Sequence, residues 1–293
     1  MIDLHTHTDR SDGSTPPADL VRLACEAGLE ALGISDHDTL AGYDAAVPPA
    51  RDAGLELLCA VELSTRPAVR EENGKRAPSV HILGYWLFDP PAAEFRGWLE
   101  TQQATRRKRN VELVDKLQQL GVNIRLEDAE VYGRTQVGRP HFARVLLEKG
   151  YVSNLQQAFD LYLADDAKAA VDREEPSIAE GIEKIRNAGG LPSLAHPVRL
   201  RERGAALHAF VASLVDAGLQ GIEIFHSEHS PSDCGEFSDI ACRFGLIQTG
   251  GTDYHGDAKP GVELGSGIDG NVKLHYEFLE RMRQEADCRV RVE

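Results

Sequence analysis

Imidazole and carboxylate side chains recur at the ends of one apolar segment after another, and a chain punctuated in this way has few architectures open to it. The first case is His5-Thr6-His7-Thr8, followed by Ser11-Asp12-Gly13-Ser14. Residues 2–7 read as a strand, so His5 and His7 point to one face and Asp12, in the polar turn beyond, can fold back over them. Ser35-Asp36-His37-Asp38 closes a second strand, 31–35. Glu62 follows near the end of strand 55–63, His81 at the start of strand 80–86, and His196 after strand 191–195. Strand 221–225 leads to His226 and His229, and strand 246–250 to Asp253 and His255. One His-x-His pair arises easily by chance. Acid and imidazole together at successive strand ends do not read as solvated loops; they are the nitrogen and oxygen donors that divalent cations take.

Helical segments separate the early strands. Thr15 is placed to cap a helix that starts at Pro16 and ends at Gly28. Strand–helix alternation predicts a parallel sheet, and chemistry at strand C-termini predicts a barrel. From about Pro90 the alternation stops: 92–120, 124–132, 138–149 and 153–164 read as helices with no strand between them. It resumes at Ser177, where Ser177-Ile-Ala-Glu180 has the form of a capping box. The expected organisation is α/β, a barrel from residues 1–90 and 171–293 with a helical insertion, 91–170, covering the active site. With 293 residues, 42% of them hydrophobic, the chain can bury one large core beside an inserted subdomain. No apolar run approaches the roughly 18 residues of a membrane span, no export signal is evident, and the five cysteines have no paired spacing. These features predict a reduced cytoplasmic protein without membrane contact.

The net charge of −15 argues against a surface that binds nucleic acid throughout or forms a stable complex with it. Residues 96–149 nevertheless hold eleven Lys or Arg against seven Asp or Glu, a surplus of +4, which leaves −19 for the remainder. Within this basic piece, Arg134, Thr135 and Arg139 lie in a glycine-bounded loop that runs into a helix through Pro140. A guanidinium at a helix start suits a phosphate, and a structural salt bridge is the alternative. The tetrad Arg106-Arg107-Lys108-Arg109 reads as a solvated helix face. Arg66 to Pro78 reads as a charged loop of the kind that lines or covers a site.

Taken together, His5-x-His7, Asp12, Ser35-Asp36-His37-Asp38, Glu62, His81, Ala195-His196-Pro197 and Asp253-x-His255 resemble the four-motif signature of the PHP (polymerase and histidinol phosphatase) family. The resemblance covers roughly residues 1–90 and 175–270. It implies a distorted (β/α)7 barrel and a centre of two or three divalent ions, most often Mn2+, with Fe2+ or Zn2+ as alternatives. By motif, His5, His7 and Asp253 would hold one ion, Glu62 would bridge to a second completed by His81 and His196, and Asp12, His37 and His255 would hold a third. Asp12, His37, Glu62 and Asp253 would be the residues closest to the chemistry.

Gly138-Arg139-Pro140-His141, His196-Pro197-Val198-Arg199 and Phe225-His226-Ser227-Glu228-His229-Ser230 are similar to the nucleotide-acting subgroup, the 3′,5′-nucleoside bisphosphate phosphatases and 5′→3′ exoribonucleases. That similarity implies substrate contacts by Arg134, Thr135, Arg139, Arg199 and His229. The expected reaction is removal of the 3′-phosphate from a nucleoside 3′,5′-bisphosphate such as pAp by a metal-activated hydroxide. A 5′→3′ exoribonuclease on short 5′-phosphorylated RNA shares the same centre. Aromatics at 6% and the negative net charge favour the smaller substrate. Histidinol-phosphate phosphatase leaves the arginine-bearing insertion unused. True amidohydrolases commonly bridge their metals with a strand-end lysine, and no expected strand ends in one. A non-catalytic metal-stabilised module, of the kind that accompanies polymerases, would not need the groove-like insertion.

Overall fold

The computed structural model describes residues 1–68, 77–133 and 136–290. Seven strands form one curled sheet in sequence order: β1 (Ile2–Thr6), β2 (Ala31–Ile34), β3 (Glu56–Thr65), β4 (Val80–Trp86), β5 (Leu191–Leu194), β6 (Gly221–Phe225) and β7 (Ile247–Gly250). β1–β2–β3 and β5–β6–β7 are parallel, but β4 is antiparallel to both β3 and β5. The expectation of a wholly parallel sheet is corrected here. The residues between Thr65 and Val80 lack the apolar period of a crossover helix, and an antiparallel return does not need one. The reversal also explains His81. It starts its strand yet pairs with Ser64 near the end of β3, so it lies at the same sheet end as the C-termini of the other strands.

The outer strands meet. His7 N donates to Tyr254 O at 2.8 Å and Asp253 N to His5 O at 2.8 Å, joining the segment after β7 to β1. Gly251 permits this approach, because a Cβ there would lie 2.3 Å from His5 N.

Helices α1 (Pro17–Glu26) and α2 (Ala41–Ala53) pack Leu20, Val21, Ala24, Ala46 and Ala50 against Leu32 and Ile34 of β2. Pro16 is the N-cap of α1, one residue later than expected, with no side-chain cap from Thr15. α7 (Ile178–Asn187), α8 (Ala205–Asp216) and α9 (Pro231–Phe244) cover the other helix-bearing face with Ile182, Ile185, Val211 and Ile240. Each such aliphatic side chain contributes about 1.5–3 kcal/mol on burial. Ser177 caps α7 by accepting from Glu180 N at 3.1 Å. α10 (Tyr276–Val290) places Leu279 and Met282 in the core beneath Ile2, Leu4 and Ile247.

Between β4 and β5 come α3 (Ala93–Gln119), α4 (Leu126–Gly133), α5 (Arg139–Glu148) and α6 (Leu155–Ala158), the last continued by a π-helical turn, Phe159–Leu163. Leu113, Leu117, Phe142, Leu146 and Leu163 form a separate apolar core. α3 belongs to both bodies: Phe95 and Leu99 join the core under α7, and Leu113 and Leu117 the core of the insertion.

Candidate active site

Period two along β3 puts Cys59, Val61 and Leu63 into the helix-covered core and turns Glu62 to the opposite face. There a single buried carboxylate meets five imidazoles. Glu62 Oε1 lies 2.7 Å from His81 Nδ1 and 2.7 Å from His196 Nε2. Glu62 Oε2 lies 3.0 Å from His7 Nε2, 3.3 Å from His5 Nε2 and 3.5 Å from His37 Nδ1.

Asp253 is the second hub. Its Oδ1 is 3.4 Å from both His5 Nε2 and His7 Nε2, and 3.5 Å from His255 Nδ1. Asp12 is the third, 3.3 Å from His255 Nε2 and 3.6 Å from both His37 Nε2 and His7 Nδ1. All nine side chains expected at a metal centre therefore lie in one cluster. Their grouping differs from the motif-based one, since His7 joins Asp12, His37 and His255, while His37 joins Glu62 and His81.

Buried partners hold this cluster in shape. Asp36 accepts from Thr8 N at 2.7 Å and Ser11 Oγ at 2.6 Å, folding the turn that carries Asp12. Gly13 in that turn sits where a Cβ would come within 2.5 Å of His7 O. Asp3 accepts from Thr252 N at 2.9 Å and Thr252 Oγ1 at 2.6 Å, fixing the approach to Asp253. Glu223 lies 2.8 Å from His5 Nδ1 and accepts from His196 N at 2.6 Å. Asp38, His196 and Asp253 all have φ between 27° and 57°, a backbone region costly for non-glycine residues that concentrates at functional sites.

The electrostatics favour cations. Burial opposes charge on His7, but the Asp253 and Glu62 carboxylates outweigh it and raise the ring to about 10. Burial lowers His37 to about 4 and His196 to about 3, where they are neutral donors of lone pairs. Burial would raise Asp12, Glu62 and Asp253, but the surrounding rings hold all three well below the usual carboxylate range.

Among the described residues, the buried His7 Nε2 and His37 Nδ1 have no hydrogen-bond partner, although carboxylate oxygens lie nearby. Two ligands each about 2.0–2.2 Å from one ion stand roughly 3 Å apart, the spacing found here. The donor set fits divalent ions that accept imidazole and carboxylate together.

Beside Asp12, His37 and His81 opens a cleft of about 200 Å3 lined by Arg66, Arg106, Arg109, Arg139 and Arg173. The expectation that residues 106–109 form a solvated face is corrected for two of them. Spacing of three puts Arg106 and Arg109 on one face of α3, 9% and 8% exposed, while Arg107 and Lys108 face solvent. Arg106 pairs with the buried Asp38 carboxylate, which also accepts from Arg173 Nη2 at 3.0 Å. Gln103 Nε2 donates to Asp38 O and Gln136 Nε2 to His37 O, each at 3.2 Å, tying the insertion to the His37 loop. Arg139 Nη1 pairs with Asp165 at 2.6 Å on the rim. Arg109 has no hydrogen bond or ion pair among the described residues. Burial together with Arg106, Arg139 and Arg173 lowers it to about 9.

Arg199 lies elsewhere, paired with Glu228 and, at 2.8 Å, with Asp253 Oδ2; Lys259 Nζ reaches the same oxygen at 2.9 Å. His229 is buried behind His226, with Nδ1 2.7 Å from Ile224 O. Arg134 and Thr135 lie outside the described residues, as does most of the loop expected after Arg66. Sequence reasoning missed Glu223 and the inward-facing Arg106 and Arg109, and gave no role to the strand-end His226, which lies 3.3 Å from Asp253. A carboxylate in the apolar run Gly-Ile-Glu-Ile-Phe was a signal for the first.

A sequence model of the PHP domain matches residues 3–176. A 5′-3′ exoribonuclease of Haemophilus influenzae is 35% identical over 91% of this chain and 94% of its own length. A 3′,5′-nucleoside bisphosphate phosphatase of Chromobacterium violaceum is 28% identical over 90% of each chain. Among solved structures, one described as a metal-dependent phosphoesterase from Bifidobacterium adolescentis superposes with a TM-score of 0.80 at 29% identity, covering 97% of this chain and 96% of the other. With nine imidazoles and carboxylates gathered at one end of a curled seven-stranded sheet, this chain belongs to the PHP domain family and is a metal-dependent phosphoesterase.

Proposed function

We propose that this enzyme removes the 3′-phosphate from nucleoside 3′,5′-bisphosphates, on a distorted (β/α)7 barrel whose insertion, about residues 91–170, covers the site. The observation that carries the reading is Arg109, a buried guanidinium with no direct ion pair among the described residues, in an arginine-rich cleft that shares Asp12, His37 and His81 with the imidazole–carboxylate cluster. A buried cation without a direct ion pair is costly, and an anion supplied by the substrate would compensate it. A monophosphate needs one anion site, while a bisphosphate needs two.

His5, His7, Asp12, His37, Glu62, His81, His196, Asp253 and His255 would hold two or three divalent ions, Mn2+ being the favoured identity. Such ions supply Lewis acidity and a water acidified toward neutrality. Arg199 and Lys259, both paired with Asp253, would neutralise the phosphoryl group being transferred. Arg106, Arg109 and Arg139 would grip the second phosphate, and that remote binding energy orients the first. Arg134 and Thr135 extend the same loop in sequence. His229, held to a backbone carbonyl, supports His226 and would touch no substrate. The five free thiols suit a reducing cytoplasm.

A 5′→3′ exoribonuclease is the second reading, favoured by the 35%-identical relative. The negative net charge and the 6% aromatic content favour the mononucleotide. Turnover of pAp against a 5′-phosphorylated pentaribonucleotide tests the choice: a higher kcat/KM on pAp supports the phosphatase, and a higher value on the oligomer replaces it.

A further inference from the structure

Asp12 and Pro140 form a ridge with a cleft on each side. One is the arginine cleft. The other is larger, about 430 Å3, and runs between the first turn of the barrel and helices α4 and α5. Its walls are mainly apolar, with Pro16, Val131, Tyr132, Leu147 and Leu155. Val131 is 73% exposed and Leu155 42% exposed, and both line an open groove that reaches Asp12.

His141 lines this groove and is only 5% exposed. Its Nδ1 accepts from the backbone N–H of Gly138 at 2.9 Å, which requires that nitrogen to be unprotonated. In a neutral ring the proton must then sit on Nε2, and that buried atom has no hydrogen-bond partner among the described residues. Burial, reinforced by Arg106 and Arg144, lowers His141 to about 4, so the ring stays neutral at ordinary pH. The groove thus carries an oriented imidazole donor among mainly apolar walls and touches the candidate metal cluster at Asp12.

We propose that the groove is a nucleobase subsite: the base of the substrate lies between the apolar walls and accepts a hydrogen bond from His141 Nε2. The ligand class rests on the nucleotide reading above. A nucleoside bisphosphate has three arms on one ribose, and three sites meet at Asp12: the imidazole–carboxylate cluster, the arginine cleft and this groove. A flat heterocycle with ring-nitrogen or carbonyl acceptors matches largely apolar walls with an oriented imidazole donor. A second phosphate matches it less well, because Asp9, Glu148 and Asp257 line the groove and Arg144, the cation in the lining, is paired with Glu148 at 3.1 Å.

The test compares adenosine 5′-monophosphate with ribose 5-phosphate, which lacks the base, by calorimetric titration into the manganese-loaded protein. The expected result is binding of the adenosine compound about tenfold or more tighter, the range of a stacked and hydrogen-bonded base. His141→Ala should reduce that preference to about threefold or less, leaving ribose 5-phosphate unchanged, since a hydrogen bond is worth about 0.5–1.5 kcal/mol. Val131→Glu, at an exposed rim position that folding does not depend on, should erode the same preference. Equal binding of the two ligands by the unmodified protein overturns the proposal, as does a His141→Ala variant that weakens both alike. Failure of the bisphosphate reading shows separately, in pAp turnover, and leaves this comparison decisive.

Discussion

Arg109 offers a prediction in which stability and activity move in opposite directions. Its guanidinium is 8% exposed, faces three other arginines and falls to about 9 from an ordinary value above 12. At about 1.4 kcal/mol for each tenfold change in proton affinity, roughly 4–5 kcal/mol stands against the charged form. Arg109→Met keeps much of the apolar stem and removes the charge. Replacing buried charge by packed apolar groups commonly gains about 1–4 kcal/mol, which would raise the Tm of the substrate-free protein by several °C. The gain should be complete below pH 9, where the wild-type group is charged. It should shrink above pH 9 as the folded wild type sheds that proton before the unfolded chain does.

Catalysis should suffer. The variant loses charge-assisted hydrogen bonds worth about 1.5–3 kcal/mol, so kcat/KM for pAp should fall about 10- to 150-fold. p-Nitrophenyl phosphate, with no second phosphate, should be hydrolysed at the wild-type rate. Differential scanning calorimetry and initial-rate assays on both substrates read all of this. A destabilised variant, an unchanged pAp rate or an equal loss on both substrates would refute the reasoning.

Other parts of the site make separate predictions. At pH 7 the metal-free His7 is protonated, with its ring raised to about 10, and His5 is raised as well, whereas His37 and His196 are already neutral. Metal uptake should release about two protons and tighten with rising pH, measurable by calorimetry in buffers of different ionisation heat; uptake without proton release would contradict it. Asp38→Asn leaves Arg106 and Arg173 buried without their shared carboxylate and should cost about 3–5 kcal/mol in urea unfolding. A loss under about 1 kcal/mol would show that the pairing carries little of the insertion's attachment. Glu223→Gln disturbs the carboxylate that orients His5 and should weaken metal affinity about 10- to 100-fold with little change in Tm; unchanged affinity would remove Glu223 from that role.

The parts of this site that were legible in the sequence are those packed into short motifs. His5 and His7, His37 between two acids, and Asp253 with His255 declare themselves because acid and imidazole adjoin at strand ends. The four insertion helices were legible from their apolar period, although the π-helical turn at Phe159–Leu163 was not. The direction of β4 was hidden, because strand patterning does not distinguish an antiparallel return from a parallel crossover. Arg106 and Arg109 were hidden for a different reason. Arg106 turns inward to Asp38, a partner 68 positions away in sequence, Arg109 follows it on the same helix face, and four consecutive basic residues look like solvent-facing helix until that carboxylate is located. Glu223 acts through His5, and nothing local to Gly-Ile-Glu-Ile-Phe names its partner.

The account turns on cations lying among Glu62, Asp253, Asp12 and the imidazoles around them. Anomalous diffraction at the manganese edge from crystals grown with Mn2+ tests this most directly. The expected result is at least two anomalous peaks inside the cluster, one of them within about 2.0–2.3 Å of a Glu62 oxygen. A map with no peak inside the cluster under saturating manganese would contradict the account.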